Sequence, residues 1–100
     1  FRSKILARNL KLGRYEIDIV ARDGDTVVFV EVKTLRTANE VFRPEGHVTH
    51  EKQRRLIAAG QHYITKHGQP GFYYRFDVVG VVLPEKGKAE ITLFRDAFTA

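Results

Sequence analysis

The chain contains no cysteine. Without thiols it builds no disulfide and no thiolate metal centre, so a reducing, cytoplasmic setting is expected. The remaining zinc-type ligands, His47, His50, His62 and His67, show no metal-site spacing. No apolar run approaches the roughly 20 residues that span a bilayer, and no secretory leader pattern is visible, so no membrane partner is expected. Walker loops and nucleophile elbows are missing too, which removes the enzyme classes built on them. There is also no methionine, and an opening at Phe1 fits a sequence that starts inside a longer protein.

What is present suits one globular domain over residues 1–100, with 43% hydrophobic and 29% charged residues. Seventeen Lys+Arg against 12 Asp+Glu give a net charge of +5. That balance favours polyanionic partners, although a plain basic, soluble surface has the same composition.

The organising stretch is Tyr15–Lys33, YEIDIVARDGDTVVFVEVK. Its Tyr, Ile, Val and Phe predict two strands, and Asp23-Gly24 or Gly24-Asp25 supplies a two-residue hairpin turn. Alternation puts Phe29, Glu31 and Lys33 on one face and Val28, Val30 and Val32 on the other. A two-residue turn sets residue 18 opposite 29 or 31, which brings Asp18 beside Glu31 and Lys33 unless a bulge intervenes. Two acids and a lysine on one face of strands that otherwise read as buried are costly without a purpose.

Upstream, Lys4–Asn9 is a short strand candidate and Gly13-Arg14 a turn. Thr34–His47 has no clear period and reads as a long loop. Thr49 is a good N-cap for a helix over His50–His67, with Glu51 in its first turn and Leu56, Ile57, Gly60, Tyr63 and Ile64 as its apolar stripe. Gly68 and then Pro70 end it. Tyr73–Leu83 is a nearly continuous apolar strand, and Gly80 within it marks a bulge or a close approach. Ile91–Phe94 reads as a last strand and Asp96–Ala100 as a terminal turn or short helix. The sum is an α/β or α+β arrangement, a mixed sheet with a helix packed against it.

Asp18 and Glu31 on neighbouring strands have the chemistry to share a hard cation such as Mg²⁺ or Mn²⁺, which takes oxygen ligands. Such an ion polarises a phosphate and acidifies water, while Lys33, pointing the same way as Glu31, stabilises charge on the attacked phosphate. The plain alternative is an edge-strand polar face with a Glu–Lys pair worth under about 1 kcal/mol.

RSKILARNLK, EIDIVARDGDTVVFVEVKT, PEGHVTHEKQRRLIAAGQHYI and RFDVVGV resemble, in order and spacing, the uncharacterised bacterial YraN-type family. That family looks like a minimal branch of the restriction-endonuclease-like PD-(D/E)xK superfamily, related to Holliday-junction resolvases and transfer-RNA-splicing endonucleases. The resemblance implies a restriction-endonuclease-like core, a mixed central sheet with a helix on each side. It makes Asp18 the motif aspartate, Glu31 and Lys33 the E-x-K pair, and Gln53 the glutamine of the following helix, which orients a ligand or water. Two departures stand out. Tyr15 occupies the position where relatives read glycine, and the relatives' N-terminal helix, with its additional acid, is expected to be absent from this chain. Glu16 shares the parity of Asp18 and is a substitute ligand on that ground.

Three readings follow. One is a Mg²⁺-dependent nuclease acting on structured or branched DNA, with Asp18, Glu31, Lys33 and Gln53 at the site and Arg36, Arg43, Lys52, Arg54 and Arg55 on backbone phosphates. The second is a nucleic-acid-binding module of the same fold without turnover. The third is a protein-interaction domain whose acids are structural. Resolvase-like enzymes pair their sites across a two-fold axis, so a homodimer is compatible with the first reading.

Overall fold

The valine-, isoleucine- and phenylalanine-rich segments form one sheet, seen in a computed structural model that describes residues 4–36 and 42–99. In chain order the elements are β1 (Lys4–Leu12), β2 (Tyr15–Asp23), β3 (Thr26–Leu35), α1 (Pro44–His47), α2 (His50–His67), β4 (Tyr73–Val82) and β5 (Glu90–Phe98). The strands lie in the order β1-β2-β3-β4-β5, antiparallel except for the parallel β3–β4 pair. Parallel neighbours require a long crossover, and the segment carrying α1 and α2 makes it. This is the mixed α/β arrangement that the strand–helix–strand pattern predicts. Among the described residues one long helix, α2, covers one face.

The β2–β3 turn is Gly24-Asp25, closed by the pair Asp23↔Thr26, with Gly24 at φ 61 where a side chain would be strained. Register then runs through Arg22↔Val27, Ala21↔Val28 and Val20↔Phe29 to Ile19↔Val30. On the α2 side the core gathers Ile17, Val20, Phe29, Leu56, Ala59, Phe76 and Val78. Gly60 permits that contact: a Cβ there would meet the rings of Phe76 and Phe29 at 3.0 and 3.1 Å. The opposite face carries a second cluster, Ala21, Val28 and Val30.

The helix follows its sequence signals closely. The Thr49 hydroxyl accepts from the Lys52 N–H at 3.1 Å, and the Gly68 N–H donates to the Ile64 carbonyl at 2.7 Å. Gly80 proves to be a close-approach glycine, with the Phe42 ring lying where its Cβ would stand.

Two expectations change. The loop assigned to Thr34–His47 is shorter at both ends, because β3 continues to Leu35 and Pro44–His47 forms a helical turn. Proline at the first helical position fixes φ and holds Arg43 extended before it; residues 37–41 of that loop lie outside the described residues. The terminal turn assigned to Asp96–Ala100 is instead part of β5, which runs to Phe98; Ala100 lies outside the described residues. Asp96 does adopt a turn-like φ of 51, but as part of a bulge between the pairs Phe76↔Phe98 and Val78↔Phe94. Its N–H donates to the Asp77 carboxylate at 2.9 Å, and Phe98 then stacks on Phe76 with centroids 5.0 Å apart.

Asp77 is fully buried, held by Arg75 Nε at 3.1 and 3.3 Å, while Arg75 also reaches Asp23 at 3.4 Å. Burial alone lowers the Arg75 pKa, but the hydrogen bonds and charges of Asp77 and Asp23 outweigh it and raise the value. Asp77→Ala strands the largely buried guanidinium and the Asp96 amide, and is expected to lower unfolding free energy by about 3 kcal/mol. Denaturant titration of parent and variant measures this; equal midpoints and slopes would show that the buried charge is not a structural anchor.

Candidate functional site

The candidate site begins at an irregularity shared by β1 and β2. Ile17 and Val20 both belong to the α2-side core although they are three residues apart, so the alternation of β2 does not pass unbroken through Asp18. On β1, the pairs Arg8↔Ile19 and Leu10↔Ile17 bracket Asn9, which takes a left-handed φ of 49. The β2–β3 ladder ends at Ile19↔Val30. One residue further, the Asp18 carboxylate replaces a backbone rung by accepting the Val32 N–H at 2.8 Å. Asp18 therefore sits in the seam where β2 leaves β3.

That seam leaves Asp18 beside Glu31, and the two side chains share a hydrogen bond. Glu31 retains 9% of its accessible surface. Its carboxyl is pushed up to about 7, first by burial and then by the negative charge of Asp18 and the hydrogen bond between the two side chains. Lys52, and more weakly Lys33, pull the other way. Lys52 Nζ stands 3.8 Å from Glu31 Oε2, bringing the first turn of α2 to the acid pair. Lys33 follows two residues after Glu31 on an exposed part of β3, opposite Gly80.

The other expected residues divide. Gln53 is half-buried in the first turn of α2, and its amide Nε2 donates to the Val48 carbonyl at 3.0 Å, pinning the turn that enters the helix. Glu16 is exposed and lies opposite Lys11. It does not join the pair: among the described residues no group of three His, Cys, Asp or Glu side chains converges on one point. Arg36, Arg43 and Arg54 are exposed, and Arg55 is paired with Glu51 at 2.9 Å within its own helix. Arg43 lines a cavity of ≈ 580 Å³ with Phe42, Phe94 and Arg95.

Sequence reasoning missed two features. A cavity of ≈ 530 Å³ opens beside Asp18, bordered by Arg8, Asn9, Ile5, Ile19 and Val32. Its one sequence signal is Asn9, a turn-forming residue inside a strand pattern. The contact of Lys52 with Glu31 is the other; helical spacing places Lys52 on the outer surface and carries no information about β3.

Two adjacent carboxylates, one of them costly to ionise in the absence of a counter-charge, are oxygen donors of the kind a hard divalent cation takes; an ion bound there would have these two protein ligands and other positions for water. Asp18 and Glu31 are the residues that would hold it.

The Glu31 carboxyl rises from 4.5 in the unfolded chain to about 7 on folding. Between those pH values the folded protein keeps a proton that the unfolded chain has lost, so stability falls as pH rises through this window. Glu31→Gln removes that loss. The variant is expected to match the parent near pH 4 and to exceed it by roughly 1–2 kcal/mol at pH 8, discounted for the solvent-open side of the site. Thermal melts in metal-free buffer across this range test it, and a difference independent of pH would refute the coupling.

Comparison with known proteins places these residues in a family. The model of the uncharacterised protein family UPF0102 matches residues 2–81. A UPF0102 protein of Caldicellulosiruptor saccharolyticus is 38% identical over 96 residues, covering 95% of this chain and 80% of its own length. A Chlorobium chlorochromatii UPF0102 protein is 43% identical over 100 residues, covering 95% and 76%. A third, from Symbiobacterium thermophilum, is 40% identical over 97 residues, covering 97% and 81%. The matched segment contains the Asp18 seam, the Glu31-x-Lys33 pair and the start of α2, and the chain belongs to the UPF0102 family, the YraN-type family that its hairpin and helix motifs resemble.

Proposed function

We propose that this protein is a divalent-metal-dependent nuclease that hydrolyses phosphodiester bonds in DNA, with structured or branched DNA as its substrate class. The observation that carries the reading is the Asp18–Glu31 pair, held at the end of the β2–β3 ladder with Lys33 and Lys52 around it. Hydrolysis requires water to form a new P–O bond while the bond to the leaving oxygen breaks and that oxygen gains a proton. When bound, an ion such as Mg²⁺ or Mn²⁺ supplies Lewis-acid polarisation of a phosphoryl oxygen and acidifies water.

The residues of the chain do the rest. Asp18 is oriented by the Val32 amide, so one carboxylate oxygen has its direction fixed by the sheet before any ligand arrives. Glu31 is fixed by the β3–β4 pairing and by burial. Lys33, exposed two residues along the same strand, supports negative charge developing on the phosphate. Gln53 acts here by locking the entrance of α2, which positions Lys52. Exposed Arg36, Arg43 and Arg54 supply contacts to backbone phosphates, which position a substrate without reading its sequence. The restriction-endonuclease-like character of the core belongs to this reading, supported by the order of the motif residues along β2 and β3.

A second reading, a nucleic-acid-binding module without turnover, is favoured by the donor set, which among the described residues holds two carboxylates. One experiment separates them. Linear, nicked, flapped and four-way-junction DNAs are incubated with the protein and Mg²⁺ or Mn²⁺, beside Glu31→Ala. Metal-dependent cleavage that falls at least a hundredfold in the variant is expected of a carboxylate that holds the ion. Salt-sensitive binding without any product would establish the second reading instead.

A further inference from the structure

Lys52 is the one cation within ion-pair distance of the acid pair among the described residues, at 3.8 Å from Glu31 Oε2. Its position on α2 runs against the helix dipole: it lies in the first turn, where the amide ends disfavour positive charge. Neighbouring Arg55 answers Glu51 within the helix, whereas Lys52 leaves the helix to reach a carboxylate on β3. The Thr49 cap and the Gln53–Val48 hydrogen bond fix the turn from which it extends. Its side chain is 47% exposed against 11% for Glu31, so the ammonium has room to move while the carboxylate does not.

We propose that Lys52 is the resident counter-cation of the Asp18–Glu31 pair: it partners the acids in the metal-free protein, is displaced by the divalent ion, and is thereby freed for a substrate phosphate. The inference rests on the reading of the pair as a divalent-metal site. A lysine suits this role because its charge is a compact, rotatable point on a flexible stem. A partly exposed ion pair of this kind is weak, so a divalent ion outcompetes it at modest cost. Metal and nucleic acid then bind with positive coupling, since the ion that takes the carboxylates releases a cation toward the polyanion.

The test is Mn²⁺ titration, followed by the paramagnetic signal of the free ion, on the parent, Lys52→Met, Lys33→Met and Glu31→Gln at low ionic strength. Removing a competing cation is expected to tighten Mn²⁺ binding of Lys52→Met by about two- to fivefold, with a smaller change in Lys33→Met. Mn²⁺ should also strengthen binding of a short DNA oligonucleotide more in the parent than in Lys52→Met. Mn²⁺ binding by Lys52→Met that is unchanged or weaker overturns the counter-cation role, even where Glu31→Gln loses the ion and the metal reading stands. A parent that takes up no Mn²⁺ overturns both. Melting curves check that the variants fold; Lys52→Gln, of similar length and uncharged, carries the same expectation.

Discussion

The hydrogen bond from the Val32 amide to the Asp18 carboxylate continues the β2–β3 contact one step beyond the end of their backbone ladder. It is a side chain standing in for a strand. Where β2 departs from β3, the Val32 N–H would otherwise lose its rung, and a partly buried unpaired amide costs about 1–3 kcal/mol. Asp18 satisfies it and is in turn held in one direction. The same carboxylate that completes this rung also stands beside Glu31, so the place where the sheet becomes irregular is the place where its polar groups collect.

Two buried acids in this domain, Asp77 and Glu31, sit in contrasting environments. Asp77 is fully buried, yet it receives Arg75 Nε and the Asp96 amide, and its negative charge is answered on every side the structure describes. Glu31 is nearly as hidden, but its closest charged neighbours are another carboxylate and a half-exposed lysine. Its proton affinity rises accordingly, as it does in sites arranged to accept a cation or a proton. Burial alone does not distinguish the surroundings of Asp77 from those of Glu31; the completeness of the surrounding donors does.

Much of this was legible in the sequence, and the limits have physical causes. The glycine at the Gly24-Asp25 turn and the β-branched run around it specify a two-residue hairpin, and that turn fixes by counting which residues face each other. With either candidate turn the alternation puts Asp18 on the face of Glu31, although the ladder itself ends one pair short of them. The helix was equally readable because Thr49, the apolar stripe and Gly68 agree on its bounds. The left-handed Asn9 left a weaker signal: asparagine tolerates positive φ, but nothing local says that it adopts it between the pairs Arg8↔Ile19 and Leu10↔Ile17. Asp96 misled for a related reason: its local preference for a turn is honoured, but Asp77, 19 residues earlier, captures its amide and returns the chain to the ladder. The Lys52–Glu31 contact depends on how α2 lies over the sheet, a distance that helical periodicity does not encode.

That distance is set some way from the site. Gly60 lets the backbone of α2 rest against Phe29 and Phe76 with no side chain between them. Lys52 lies eight residues toward the N-terminus, about 12 Å along the same rigid rod. Gly60 is therefore the pivot of a lever whose far end carries an ammonium group, and the thickness of two phenyl rings calibrates how closely that charge approaches the carboxylates.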